Sequence, residues 1–353
     1  MKRCLHIVGS MSPSGIGNFI MNIYRHMDRE QVQFDFVVHE KRAVSFDEEI
    51  EQLGGHLFYV TRKSESLWKN LNEIRQVVKR GQYDVVFRHT DTATVALDLV
   101  AAWLGGAKRR IPHSHSTSTP NLKMHQLFQP LLNLMATERF ACSEEAGKWL
   151  YGKKPYEVIW NGIDIPLFTF SESKRDRIRT ELGISDKKVI GHVGNFMPVK
   201  NHEFMLEVFR ILHQQNPDTV LMLVGDGELR ESITEKITAY HLQDSAILTG
   251  VRNDTDALLQ GMDLFFFPSH YEGMPIALVE AQAAGLPCLV SDVITDDVIV
   301  TNRVQKRNLG DSPESWAEAA GQLLQQTDRP DTSQQIREGG FDVMDLAHRY
   351  EKI

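Results

Sequence analysis

One recurring unit constrains this sequence more than any other feature. A short, almost wholly apolar run is followed by a turn rich in Gly, Pro or Ser, and then by a segment of helical periodicity. Apolar runs at 4–8, 33–39, 57–60, 83–87, from 109 onward and at 140–143 alternate with helical segments at 18–27, 46–53, 67–80, 92–104, 121–140 and 144–151. A second series has runs at 189–194, 219–224, 247–252, 264–267 and 288–291, with helical segments at 202–214, 254–260, 276–284 and 312–326. Apolar runs without polar alternation suit strands buried on both faces. Their alternation with helices predicts parallel sheets covered on both sides, with ligands at the carboxyl ends of the strands.

Between the two series stands Asn161-Gly162-Ile163-Asp164, a strand end in an Asn-Gly turn, followed by an aperiodic stretch at 166–173 read as the linker. Two domains follow: 1–165, with a helical tail at 335–353 crossing back to it, and 166–334. A chain of 353 residues is long enough for two cores. Its formal charge of −8 argues against nucleic acid as a partner. Cys4, Cys142 and Cys288 lie far apart in sequence and read as reduced, buried thiols of a cytoplasmic protein. No apolar run approaches the length that spans a bilayer. The 121–140 segment carries Met124, Leu127, Phe128, Leu131, Leu132 and Met135 and reads as core-facing, a peripheral membrane contact being the alternative.

The densest stretch is 264–287. Leu264–Phe267 makes a buried strand, His270–Met274 a loop, and Pro275 the first helical position, with Gly285 and Pro287 closing the helix. A strand feeding a helix N-terminus through a loop leaves backbone N–H groups and positive partial charge facing an anion. Gly273 lets a ligand approach. Glu272 and Glu280 flank this terminus, and Glu280 lies about 7.5 Å along the axis from Pro275. A lone Glu is more often a solvated charge. This helix is apolar on most sides, however, and a buried Glu needs a partner, for which the hydroxyls of a ribose are suited.

Three other places carry polar chemistry. Gly15-Ile16-Gly17-Asn18 follows the first strand, with Asn18 as a plausible N-cap, although the spacing lacks the third Gly of a dinucleotide loop. Lys200 stands at a strand-to-helix junction and suits a phosphate. His113 and His115 point to the same side of their strand's carboxyl end. They are open to three readings: a structural pair, a metal pair short of further ligands, or a polar group at a reacting centre. Asp292, Asp296 and Asp297 read as a loop and helix cap.

Glu272-x7-Glu280 within EGMPIALVEAQAAGLP resembles the hallmark of retaining glycosyltransferases of family 4 (group 1), and is similar to their capsule and exopolysaccharide branch. The resemblance implies a GT-B fold, in which two Rossmann-like parallel-sheet domains face a central cleft. It implies that Glu280 holds the nucleotide ribose and Glu272 the donor sugar. Gly273, Met274 and Pro275 would touch the diphosphate or sugar, and Lys200 would neutralise the leaving diphosphate. Gly15 and Gly17 would face the diphosphate, and Val251 and Arg252 the nucleobase. His115, with His113 second, would sit at the reacting centre. His89 and Asn18 would lie on the acceptor side, and Asn161–Asp164 would shape the hinge. The family usually carries Arg where this chain has Asn195, so one cationic contact is missing; the resemblance then implies either a lower activity or substitution by Arg252 or another base.

The expected enzyme is retaining and metal-independent, and needs no cofactor. It moves a sugar from a nucleotide-diphosphate donor, UDP-sugar favoured, to a glycan or undecaprenyl-type lipid-linked acceptor. It would work in the cytoplasm, with room for a peripheral contact at the inner membrane face. A non-catalytic nucleotide-sugar-binding partner and a nucleotide-sugar epimerase stay open beside it.

Overall fold

Residues 2–13 and 15–353 are described by the computed structural model. Among them, seven strands build the first sheet: β1 (Lys2–Val8), β2 (Val32–Val38), β3 (Leu57–Tyr59), β4 (Val85–Thr90), β5 (Arg109–Ser114), β6 (Phe140–Ala141) and β7 (Glu157–Val158). They lie in the order β3-β2-β1-β4-β5-β6-β7, all parallel. Strand order reverses between β1 and β4, so their carboxyl ends diverge and leave room for a ligand.

The register fixes which side chains share a face. His6 pairs with Phe36 and with Phe87, and His89 pairs with His113. Alternation along each strand therefore puts Cys4, His6, Val8, Phe87, His89 and His113 on one face. That face is covered by the helix Gly15–His26, through Phe19 and Ile20, and by the helix Val343–Glu351, whose Tyr350 stacks on Phe87 at 5.2 Å. Leu5, Ile7 and Val86 pack on the other face with Ile74, Val78 and Ala102.

The second sheet holds β8 (Lys188–Val193), β9 (Thr219–Val224), β10 (Ala246–Gly250), β11 (Leu264–Phe267), β12 (Cys288–Ser291) and β13 (Val304–Arg307). Its order is β10-β9-β8-β11-β12-β13, again all parallel. The switch point here falls between β8 and β11. All four side chains of β11 are buried, as a strand covered on both faces requires. Gly225 has φ +139°, and a Cβ there would lie 2.1 Å from the carbonyl oxygen of Gly194, so the ends of β8 and β9 meet only through glycine.

The chain up to Gly162, with Val343–Ile353, forms one unit, and Ile163–Asp342 forms the other. The stretch at 166–173, expected as linker, instead contributes the helix Ile165–Phe168 and the start of the helix Glu172–Glu181 to the second unit. The crossing falls within Asn161–Asp164. The helix Ser333–Glu338 also belongs to the second unit, so the returning tail begins at Val343 rather than at 335.

Two local expectations are corrected. The first βα helix starts at Gly15, so Asn18 lies one turn inside it, exposed, and caps nothing. The helix in 121–140 spans only Leu122–Met135; Leu132, with Phe128, Leu131 and Met135 half-buried beside it, packs on the core as expected, whereas Met124 and Leu127 are exposed.

Candidate functional site

The carboxyl ends of β8 and β11 bring together residues that are 72 apart in sequence. Lys200 lies in the turn Pro198–Lys200 after β8, and Glu272 in the loop after β11. The Lys200 Nζ donates to Glu272 Oε1 at 2.6 Å, and both side chains are largely shielded. Two bonds brace the turn against the loop. Asn201 Nδ2 donates to the Pro268 carbonyl at 3.1 Å, and the His270 N–H to the Val199 carbonyl at 2.8 Å. The ammonium also sits 4.9 Å from the centre of the Phe267 ring, within cation–π range.

Behind Lys200 lie two buried histidines that sequence reasoning gave no role. His192 on β8 holds its Nδ1 at 3.0 Å from the Phe266 carbonyl, which makes that nitrogen the donor. His202 packs edge-on against His192 and Phe196. Burial pushes both imidazoles down, His202 to about 4, and the Lys200 charge adds to the effect. They form an uncharged wall that leaves the ammonium directed at Glu272.

Past the loop, Pro275 occupies the N-cap position and Ile276 begins the helix Ile276–Ala283, one residue later than expected. The backbone N–H groups of Gly273 and Met274 make no hydrogen bond within the described residues. A Cβ on Gly273 would meet nothing within 4 Å, so the backbone is open to approach. Glu280 is half-buried, and no side-chain partner for its carboxylate exists among the described residues. Burial, with a smaller push from Asp256, raises its carboxyl to about 7. An acceptor group without a donor, one turn into a helix whose terminus offers free N–H groups, suits a diol beside a phosphate.

Two expected residues stand differently. Asn195 is exposed after Gly194 and brings no charge. Arg252 is committed elsewhere. Its Nε and Nη2 grip the two Asp254 oxygens at 2.7 Å each, and Nη2 also reaches Glu181 at 2.9 Å. The guanidinium is therefore held by two carboxylates and is not free to replace the missing cation. Val251 is exposed beyond β10.

In the first unit, Gly15 and Gly17 open the helix after β1. A Cβ on Gly17 would fall 2.1 Å from the Ser12 carbonyl oxygen, whereas one on Gly15 would meet nothing within 4 Å. Gly17 is thus required by packing, and Gly15 is free to face a ligand.

The carboxyl ends of β4 and β5 hold a histidine cluster. His89 Nδ1 lies 2.9 Å from His115 Nε2, and His89 Nε2 lies 3.0 Å from His6 Nδ1. His113 lies against His115 at 4.1 Å between ring centres, and Phe19 meets both edge-on. Burial pushes all four imidazoles down, His6 and His115 to about 3. His115 is half-buried and reaches the surface of the unit, whereas His113 is sealed. Of the pair, His115 is the one a substrate can touch. His89, expected to meet an acceptor, is 2% exposed with both nitrogens engaged, and so contacts His115 instead. His6 escaped sequence reasoning because one histidine in an apolar strand looks like core, and the register that lines it up with Phe87 is not written in the strand itself. Ring nitrogens of His89, His113 and His115 lie within 4.8 Å of one another, which supplies the third nitrogen that the metal-pair reading lacked. The 2.9 and 3.0 Å separations are hydrogen-bond lengths, shorter than the ~3.3 Å between nitrogens on one tetrahedral ion at 2.0–2.1 Å.

Among the described residues no helix is long and apolar enough to cross a membrane. The helix Leu122–Met135 nonetheless exposes Leu122, Met124, Leu127 and Leu134, the last two at 69% and 73%. Residues 121–136 contain no acid and one cation, Lys123.

Comparisons with known proteins bear on the family and the fold. Residues 13–166 match the model of "Glycosyltransferase Family 4", and residues 174–342 that of "Glycosyl transferases group 1". The chain is 37% identical over 332 residues to the putative glycosyltransferase EpsF of Bacillus subtilis, covering 90% of this chain and 86% of that protein. It is 31% identical over 249 residues to the UDP-Gal:alpha-D-GlcNAc-diphosphoundecaprenol alpha-1,3-galactosyltransferase of Escherichia coli, covering 66% and 64%. The fold matches that of Anabaena Alr3699/HepE in complex with UDP-glucose, with TM-score 0.79 at 20% identity over 100% and 99% of the two chains.

Proposed function

The chain belongs to glycosyltransferase family 4, and from that premise we propose a retaining transferase that moves a sugar from a UDP-sugar to a lipid-diphosphate-linked glycan. Transfer of sugar in glycan synthesis is the family's activity. The observation that carries the finer reading is the Lys200–Glu272 pair beside the free Gly273 and Met274 N–H groups. The leaving group is a diphosphate. As the bond from the anomeric carbon to the phosphate oxygen breaks, that oxygen takes the electron pair. Lys200 and the helix terminus stabilise the charge where it develops. Glu280 accepts from the two ribose hydroxyls. Glu272 holds Lys200 and accepts from a sugar hydroxyl with its second oxygen. His115 stays uncharged at neutral pH and orients a sugar hydroxyl without donating a proton. In front-face attack the departing phosphate oxygen removes the acceptor's proton. Metal independence belongs to the same proposal, since Lys200 and backbone donors supply the positive charge.

A lipid-linked acceptor is supported by the exposed apolar face of Leu122–Met135, suited to lying in a bilayer interface, and by the printed activity of the Escherichia coli relative. A nucleotide-sugar-binding partner without turnover is the second reading. It draws on Asn195 and on the commitment of Arg252 to Asp254.

Incubation with UDP- and GDP-sugars and a lipid-diphosphate glycan separates these readings. UDP release with a lengthened glycolipid supports the transferase. Binding without turnover favours the partner, and an isomerised sugar favours an epimerase.

A further inference from the structure

We propose that His6 and His89 are positioning residues that fix the ring proton of His115 on Nδ1, where it faces outward as a permanent hydrogen-bond donor. The three rings form one chain across β1, β4 and β5, linked by His6 Nδ1 to His89 Nε2 at 3.0 Å and His89 Nδ1 to His115 Nε2 at 2.9 Å. A neutral imidazole has one donor and one acceptor nitrogen. Two links across three rings therefore allow only two proton orders, all outward or all inward. Burial keeps every ring neutral, so no mixed, charged order competes.

The two ends of the chain differ. At the inner end, His6 Nε2 is sealed without a partner, with Phe34 and Phe87 at 4.1 and 4.7 Å between ring centres. At the outer end, His115 is half-buried and its Nδ1 is not among the sealed, unpartnered atoms. The inward order buries an N–H with no acceptor. The outward order leaves only a bare lone pair there and places the free N–H where a ligand or water can accept it. Orphaned buried N–H groups are the rarer and costlier of the two. The outward order therefore wins, with His6 Nδ1–H to His89, His89 Nδ1–H to His115, and His115 Nδ1–H to the surface.

The use of that donor on a sugar hydroxyl rests on the transferase reading above; the proton order does not. The test is accordingly a long-range 15N–1H spectrum of histidine-labelled full-length protein, which assigns each ring's tautomer without any substrate. Wild type should show His115 with its proton on Nδ1. Replacing His89 by Phe should return His115 to the Nε2–H form that free imidazole side chains prefer. His89→Asn, whose amide stands where Nδ1–H stood, should keep Nδ1–H on His115. Turnover should fall roughly 10- to 100-fold in His89→Phe, with donor KM unchanged, and recover in His89→Asn. His115 carrying its proton on Nε2 in the wild type would overturn the proposal, even in an active transferase. So would a stoichiometric metal ion held by His89, His113 and His115. The predicted tautomers in a protein that transfers no sugar would sustain the proton order and sink the transferase reading instead.

Discussion

Lys200 and Glu272 form a shielded ion pair of 2.6 Å at the point where the second sheet reverses its strand order. Each keeps the other usable. Without Glu272 only the Phe267 ring holds the ammonium, and without Lys200 a largely shielded carboxylate is left unpaired. Lys200→Ala should lower kcat by about 10²- to 10³-fold, the usual effect of removing a donor aimed at developing charge. Glu272→Gln keeps a hydrogen-bond acceptor for the lysine and should cost less. Steady-state rates of UDP release check both, and an unchanged kcat in Lys200→Ala would remove the lysine from the leaving-group role.

The raised carboxyl of Glu280, at about 7, gives two pH effects of opposite sign. Its folded value lies above the unfolded one of 4.5. Between those values the folded chain binds more protons, so this group's contribution makes unliganded stability fall as pH rises from about 5 to about 7. The ribose hydroxyls need the ionised form, so nucleotide affinity should rise over the same range, approaching tenfold per pH unit below about 7, and level off above it. Glu280→Gln should flatten both curves. Thermal melts and UDP titrations from pH 5 to 8.5, run on wild type and variant together, isolate this one group.

The two glycines after β1 should separate structure from function. Gly17→Ala drives a Cβ to 2.1 Å from the Ser12 carbonyl oxygen and should destabilise the first unit by about 1–3 kcal/mol. Gly15→Ala meets nothing within 4 Å and should leave the melting temperature unchanged. If Gly15 faces the donor, the same substitution should lower kcat. Melting temperature and turnover, measured on both variants, give the split.

Much of the fold was legible because parallel strands covered on both faces lose polar alternation, as Leu264–Phe267 does, and because the helices between them end at glycine or proline. The order of the strands was not written in those runs, and the pairing of Lys200 with Glu272 depends on β8 lying beside β11. Both residues were singled out separately, without their contact. His6 and the engagement of His89 were hidden for the same reason, since register rather than local sequence sets them in line. In the helix Leu122–Met135 the core face at Phe128, Leu131, Leu132 and Met135 was legible, but the exposure of Met124 and Leu127 was not, because an amphipathic pattern does not say how far along its length the fold covers it. The linker was placed three residues late because Ile165–Phe168 is too short to show a helical period.

That same helix yields a further prediction. Leu127→Ser with Leu134→Ser removes two exposed apolar side chains and should not disturb the core. Sedimentation with vesicles of anionic lipid should show weaker binding for the double variant, while its activity on a soluble acceptor is retained. Equal sedimentation of the two proteins would take this face out of membrane contact.

The central claim is that the helix beginning at Ile276 holds a nucleotide, with Glu280 on its ribose. Titration of UDP into wild type and Glu280→Ala at pH 8 tests it most directly, because there the carboxylate is ionised. Two hydrogen bonds to a charged acceptor, at about 1.5–3 kcal/mol each, predict a loss of affinity of at least about 100-fold, with no fall in the melting temperature of the free protein, because the substitution removes an unpartnered buried charge. Equal affinity in the two proteins would contradict the account.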